Sequence, residues 1–214
     1  MLEHGPQGLQ LRAHHHPDYG AVRADWTGSD VVRRIRAGKR QLLARAIGLH
    51  KYPDVSVLDA TAGLGRDGFT LAALGATVTL IERQPLFLQL LQDARTRALL
   101  DPQWKTAAAR TEILAGDART WLDLRERQWD IVHLDPMYPH TGKQALPQKE
   151  MQLLRELTQG DPDADTLLAP ALQCARLRVV VKRPLRAPFL GELPPAFQLE
   201  GTQARYDVYL PSSS

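Results

Sequence analysis

Cysteine is nearly missing from this 214-residue chain: only Cys174 is present, so an internal disulfide is excluded. In LLAPALQCARL that cysteine falls on an apolar face, where core packing is expected rather than nucleophilic chemistry. Long apolar runs are missing too. No stretch reaches the roughly 18 consecutive apolar residues of a membrane-spanning helix. The opening MLEHGPQGLQ lacks the apolar segment of a secretion signal. A cytoplasmic protein without membrane contact is therefore expected. Metal-ligand spacing is also absent, because His14, His15 and His16 are adjacent and no cysteine cluster accompanies them, so no metal is expected. The charge excess is only +3, too small by itself to imply a nucleic-acid partner. Its distribution says more: from Val31 to Lys51 there is no acid at all, while Arg33, Arg34, Arg36, Lys39, Arg40, Arg45 and Lys51 crowd together. That segment reads either as a phosphate-binding footprint or as a solvated helix face.

What remains is ordinary for a globular protein, with 43% apolar and 24% charged residues. The length suits one well-buried core and is too short for two full-sized domains; a monomer is expected. Residues 1–30 read as a small appendage, in which Leu9 to Arg12 and Ala21 to Trp26 alternate as a β-hairpin around HHHPDYG. Residues 31–214 form the main domain, led by a basic helix over 31–51 that Asp30 caps and Gly38 interrupts.

The chain is organised around VLDATAGLGRDGFTLAALGATVTLIE, residues 57–82, which reads as strand, glycine turn, helix, strand and acidic tip. The three glycines Gly63, Gly65 and Gly68 suit a tight turn, close approach of backbone to a ligand, and close packing of helix on strand. Glu82 follows roughly 20 residues on, where a carboxylate at the second strand's tip can accept both ribose hydroxyls. The same glycines spell the dinucleotide fingerprint of nicotinamide enzymes. In such a site, however, the first glycine follows the strand almost directly, so that the helix start meets a pyrophosphate. Here Asp59 to Ala62 intervene, and Asp59 would repel a pyrophosphate while suiting an ammonium. An acidic strand end, three residues, then Gly-x-Gly is the arrangement of class I S-adenosylmethionine methyltransferases.

Along the rest of the chain, Pro85 opens a helix with Phe87, Leu90, Leu91, Ala94 and Ala98 on one stripe. Trp104 to Arg110 reads as loop, Thr111 to Ala115 as a strand ending near Asp117, and Trp129 to Leu134 as another. Helices are expected near Lys149 to Leu157 and from Pro170, a strand over Arg178 to Lys182, and two short strands at Phe197 to Leu199 and Asp207 to Leu210. The alternation implies an α/β fold, Rossmann-like, with a mostly parallel sheet, helices on both faces and a C-terminal antiparallel hairpin. In that class the sheet is seven-stranded. Asp59, Glu82, Asp117 and Asp135 would each stand at a strand's carboxyl end, where open α/β sheets bind ligands.

Asp135-Pro136-Met137-Tyr138 resembles the (D/N)PP(Y/F) motif of methyltransferases that modify exocyclic amines of nucleobases. An aromatic amine is a poor nucleophile because its lone pair is delocalised into the ring. The Asp135 carboxylate and the Pro136 carbonyl can accept its two hydrogens while Tyr138 stacks on the base. The same residues also make an ordinary turn. Lys182 and Arg183 leave the fifth strand beside this loop and can hold a substrate phosphate, and His140 can accept a proton.

Several strings resemble the bacterial RsmJ family, class I enzymes that methylate N2 of a guanosine in 16S ribosomal RNA. They are DATAGLGRDGF at 59–69, IER at 81–83, LDPMYPH at 134–140, KEM at 149–151, DADTLLAPAL at 163–172, RVVVKRP at 178–184 and RYDVY at 205–209. The resemblance implies S-adenosylmethionine contacts at Arg66, Asp67, Glu82, Arg83, Asp117, Ala118 and Asp135, and 16S ribosomal RNA or the small ribosomal subunit as partner. The residues themselves add Asp59, Gly63 and Gly65 on the methionine side, Arg66 opposite the methionine carboxylate, and Arg33, Arg34, Arg36, Lys39, Arg40, Lys182 and Arg183 toward RNA. The sequence departs from the family where Asp117 and Ala118 replace small hydroxyl residues, and in its RRIRAGKRQ segment, which is glycine-rich in better-known members; it also begins later than they do. Two rival readings share these features: an adenine-N6 methyltransferase of DNA or RNA, and a non-catalytic RNA-binding module on the same fold.

Overall fold

A computed structural model describes residues 1–13, 20–124, 128–136 and 164–211. The chain opens on a hairpin of Leu2–Gly5 (β1) and Gly8–Leu11 (β2), paired antiparallel with Leu2 opposite Leu11. The hairpin therefore lies earlier than its alternating pattern indicates. The segment 21–26 contributes only an isolated bridge between Leu11 and Val22, because Trp26 turns into the core instead. There Trp26 stacks on Phe69 with centroids 4.8 Å apart, Trp104 meets Phe69 edge-on at 5.9 Å, and the Trp26 indole N–H donates to Leu64 O at 2.9 Å. Residues 14–19, including the three histidines, fall outside the description.

The basic segment divides into Ser29–Arg36 (α1), a 3-10 turn at Gly38–Arg40, and Leu42–Ile47 (α2). Gly38 makes the break by taking φ +65°, a left-handed conformation that costs glycine little. Asp30 does not cap α1: Gly28 occupies the N-cap position, and Asp30 sits inside the first turn, paired with Arg33.

The main sheet is built from Ser56–Asp59 (β3), Thr77–Glu82 (β4), Thr111–Ala115 (β5), Trp129–Leu134 (β6), Ala175–Pro184 (β7), Phe197–Glu200 (β8) and Ala204–Tyr209 (β9). Its order is β5-β4-β3-β6-β7-β9-β8, seven strands with β9 antiparallel to both neighbours. Winding runs outward from β3 to β5, then returns to β6 on the other side of β3. The switch point between β3 and β6 is where a doubly wound sheet leaves its ligand crevice. The strands are near-continuous apolar runs because both faces are covered; Val179, Val180 and Val181 are all fully buried.

One face carries Arg66–Ala73 (α3), Pro85–Leu100 (α4) and Lys105–Ala109 (α5), together with α1 and α2. Helix α4 has Pro85 in its first turn and buries Phe87, Leu90, Leu91, Ala94 and Ala98, the stripe expected from i, i+3, i+4 spacing. Each large side chain of that stripe contributes about 1.5–3 kcal/mol by leaving water. Helix α5 stands where a loop is expected, since the Ala107-Ala108-Ala109 run favours helix once Trp104 is anchored in the core. The opposite face carries Ala118–Leu124 (α6) and, after a 3-10 turn at Ala164–Leu167, Leu168–Cys174 (α7). Pro170 lies in the first turn of α7, and Cys174 is buried with its Sγ 3.0 Å from Leu122 O. The helix expected over Lys149 to Leu157 lies outside the described residues. No helix among the described residues is long and apolar enough to cross a membrane.

Candidate active site

Four of the expected acidic strand ends are in place, at β3, β4, β5 and β6, but they do not share one environment. An open crevice of about 590 Å³ lies over the tips of β3, β4 and β5, with Gly63, Glu82, Arg83, Asp117, Ala118 and Asp135 on its walls. Ile81, Phe87 and Leu167 supply its apolar lining. Asp59 turns away. As the last residue of β3 it follows the parity of Val57 onto the α3 face, where it is only 2% exposed. Its Oδ1 lies 3.4 Å from His133 Nδ1 on the neighbouring strand β6, not at the crevice. Burial opposes a charge on His133, and the hydrogen bond to Asp59 together with the charges of Asp59, Asp67 and Asp135 more than offsets it, so the imidazole pKa is raised. His133 Nε2 has no hydrogen-bond partner among the described residues.

The three glycines divide the labour differently from one another. Gly63 takes φ +54°, and a Cβ built there would meet nothing within 4 Å, so its backbone faces open crevice. Gly65 takes φ +70° as the N-cap residue of α3, and a side chain there would strike Leu91 at 2.6 Å and Trp26 at 2.9 Å. Gly68 is the close-packing position: a Cβ would meet Leu80 Cδ2 at 2.3 Å. Only the first of these touches the crevice; Gly65 lets the start of α3 approach α4 and Trp26, and Gly68 sets α3 tightly on β4.

Glu82 organises the turn. Its Oε2 accepts from Gly63 N at 2.9 Å and its Oε1 from Gln84 N at 2.7 Å, so one buried carboxylate ties the glycine turn to the start of α4. These are charge-assisted bonds from backbone donors to a carboxylate. Across the crevice Arg83 Nη1 reaches Asp117 Oδ2 at 3.4 Å, and Asp117 Oδ1 accepts from Arg119 N at the start of α6.

Asp135 is fixed from two sides. Its backbone N donates to Thr61 Oγ1 at 2.6 Å, and its Oδ2 accepts from Lys182 Nζ at 2.7 Å. Lys182 also reaches Asp67 Oδ2 at 3.3 Å, while Arg34 Nη2 holds Asp67 Oδ1 at 2.5 Å. The result is a chain of alternating charges from α1 through α3 and β7 to the end of β6. Asp135 is the largest influence holding the Lys182 ammonium protonated well above its ordinary range, and it outweighs burial. For Asp67 burial works upward, yet Lys182 and Arg34 together hold the carboxyl below its usual value.

That network engages two of the residues expected to face RNA, and a third is buried elsewhere. Lys182 and Arg34 are committed to carboxylates, and Arg183 is 2% exposed with its guanidinium donating to Pro188 O. The strand β7 runs two residues past Lys182, to Pro184, which carries Arg183 into the fold rather than into a loop. Arg33, Arg36, Lys39 and Arg40 do remain at the surface. Arg66 is the half-buried first residue of α3, and neither Arg66 nor Asp67 lines the crevice. Tyr138, His140 and Met137 lie outside the described residues, and Pro136 is buried beside Asp135. Sequence reasoning passed over Thr61, whose place between Asp59 and Gly63 was a usable signal, and over Leu167 and Phe87, which tertiary packing alone brings here. Among the described residues no cluster of His, Cys, Asp or Glu could hold a metal ion.

The sequence matches, over residues 1–211, a family described as "Putative SAM-dependent methyltransferase". Similar curated proteins include the ribosomal RNA small subunit methyltransferase J of Pseudomonas aeruginosa (strain LESB58), 46% identical over 96% of this chain and 80% of that protein. The protein of the same name from Aeromonas salmonicida (strain A449) is 46% identical over 96% of this chain and 84% of its own length. Among solved structures, a SAM-dependent methyltransferase from Neisseria gonorrhoeae superimposes with a TM-score of 0.76 at 36% identity, covering 97% of this chain and 81% of that one.

Proposed function

This chain belongs to the SAM-dependent methyltransferase family together with the ribosomal RNA small subunit methyltransferase J proteins, and from that premise we propose that it methylates the exocyclic N2 amine of a guanosine in 16S ribosomal RNA. Its cofactor is S-adenosylmethionine, which supplies an electrophilic methyl group on a sulfonium, the C–S electron pair staying on sulfur after transfer. The residues present fit that group: an unobstructed glycine turn at Gly63, a strand-tip carboxylate at Glu82 on the crevice wall as acceptor for a ribose diol, and an apolar lining of Ile81, Ala118 and Leu167. Asp117 shares that lining as an acceptor for the adenine amine, and Arg83 holds Asp117 in place.

The observation that carries the reading is the mounting of Asp135. A carboxylate at the crevice wall has one oxygen, Oδ2, taken by Lys182 and its backbone N–H taken by Thr61. Oδ1 is then the oxygen that accepts a hydrogen from the guanine amine, and the Pro136 carbonyl accepts the other. This pairing favours a pyramidal nitrogen with its lone pair directed at the methyl carbon. As the N–C bond forms, the amine becomes cationic, and its proton passes to Asp135 Oδ1. Tyr138, next along the chain, is the aromatic assigned to stack on the base. No strong base is needed because a sulfonium is already a potent methyl donor; positioning supplies the larger share. The exposed cations Arg33, Arg36, Lys39 and Arg40 give the surface that receives phosphates of a ribosomal RNA substrate.

The test is transfer of labelled methyl from S-adenosylmethionine to small-subunit ribosomal RNA, followed by digestion to nucleosides. N2-methylguanosine is expected. N6-methyladenosine would move the assignment to an adenine enzyme, and RNA binding without transfer would make the protein a non-catalytic module.

A further inference from the structure

A second crevice, of about 650 Å³, opens between the α1–α2 segment and the turn joining β8 to β9. Its walls include Arg34, Gln41, Leu42, Lys182, Gln203 and Tyr206. Building on the guanine reading, we propose that this crevice receives the nucleotide adjoining the target guanosine in the substrate strand, and that it is a binding site distinct from the cofactor crevice.

Three observations support the assignment. The first is adjacency. Lys182 lines the second crevice while its Nζ lies 2.7 Å from Asp135 Oδ2, and Asp135 lines the first. That ion pair joins the two linings, and a strand that delivers its guanine to Asp135 brings its neighbouring nucleotide toward Lys182. The second is the chemistry of the walls. Tyr206, only 8% exposed, is part of the lining and brings a phenol to the site. Thr202 and Gln203 are exposed on the turn, and Leu42 offers an apolar wall. Hydrogen-bonding groups on an apolar support are what a nucleoside needs from a binding surface. The crevice is also built rather than accidental: a Cβ on Gly201 would meet Leu42 Cδ1 at 2.6 Å, so the turn is fitted against α2.

The third is charge. The lining itself holds Arg34 and Lys182, and the α1–α2 segment that forms one wall also bears the exposed Arg33, Arg36, Lys39, Arg40 and Arg45, with no acid between Val31 and Lys51. Arg34 spends one nitrogen on Asp67, and a guanidinium has further N–H groups to offer. An anionic strand is the occupant that this basic wall complements, and its bases can use the hydrogen-bonding and apolar groups of the lining, which an acid-rich peptide would leave unused.

The experiment uses the full chain with small-subunit ribosomal RNA lacking the modification, comparing the parent with Gln203→Trp, Thr202→Trp and Tyr206→Phe. The two tryptophans stand on an exposed turn and fill the crevice; the phenylalanine deletes only the hydroxyl. The expected result is a KM for RNA raised tenfold or more by each tryptophan and severalfold by Tyr206→Phe. Cofactor affinity by calorimetry should stay within twofold of the parent, as should kcat at saturating RNA. If both tryptophan variants bind cofactor normally and keep the parent KM for RNA, the crevice assignment is overturned while the methyltransferase reading stands. If the parent itself transfers no methyl to guanosine, the underlying reading fails and this one falls with it.

Discussion

Replacing Glu82 by glutamine separates the two tasks that one carboxylate performs. The change preserves shape and removes the charge, and it converts one acceptor oxygen into an NH2 group. Both oxygens of Glu82 already face backbone donors, Gly63 N at 2.9 Å and Gln84 N at 2.7 Å. An amide can accept from only one of them and must set its own N–H against the other. Losing one charge-assisted bond in a site only 8% exposed costs about 1.5–3 kcal/mol. For a chain of this length that corresponds to a melting temperature lower by about 3–12 °C. The ribose diol loses its anionic acceptor as well, and a similar free energy at about 1.4 kcal/mol per tenfold weakens S-adenosylmethionine by roughly 10- to 150-fold. Thermal unfolding reads the first effect and titration calorimetry the second. A Glu82→Gln protein that melts and binds cofactor like the parent would refute the account of how this turn is held and what it holds.

Asp135→Ala should abolish methyl transfer, a loss of at least about 100-fold in kcat, while S-adenosylmethionine affinity changes far less. Lys182→Met frees Asp135 Oδ2 and should lower kcat by about 10- to 100-fold through misplacement of the carboxylate, with partial recovery in Lys182→Arg; equal turnover in all three proteins would remove Lys182 from the site. Gly68→Ala forces a methyl group toward Leu80 Cδ2, 2.3 Å from the ideal position, and should cost about 1–3 kcal/mol of stability, visible as a shifted denaturant midpoint. Asp67 has a folded pKa held below its unfolded value, so its stabilising contribution is complete above about pH 4 and is lost as pH falls further. Asp67→Asn should therefore flatten the acid side of a stability-versus-pH curve, and an unchanged acid limb would contradict the pairing with Lys182 and Arg34.

The frame of this protein was legible because its signals are local. Strand β6 occupies Trp129–Leu134 and helix α4 starts at Pro85, both as periodicity and proline chemistry indicate, and the glycine turn falls between β3 and α3. Side-chain direction was harder to read. A strand-end acid points into the crevice or under the helix according to its parity, and no spacing rule told Asp59, bound to His133, from Glu82, bound to the glycine turn. Charge was read least well. Lys182 and Arg34 read in sequence as unpaired cations because their partners, Asp67 and Asp135, lie far along the chain and meet them only after the sheet is assembled. Gly38 was the opposite case, a single residue whose conformational freedom announced the break between α1 and α2.

The central claim is that this crevice directs a methyl group to a guanine amine held by Asp135. Its most direct measurement pairs the parent with Asp135→Ala in a labelled-methyl assay on small-subunit ribosomal RNA from cells lacking the modification, with nucleoside analysis of the product. The account predicts N2-methylguanosine from the parent at one position and none from the variant, although both bind S-adenosylmethionine. Label on adenine, or N2-methylguanosine formed at the parent rate by Asp135→Ala, would contradict it.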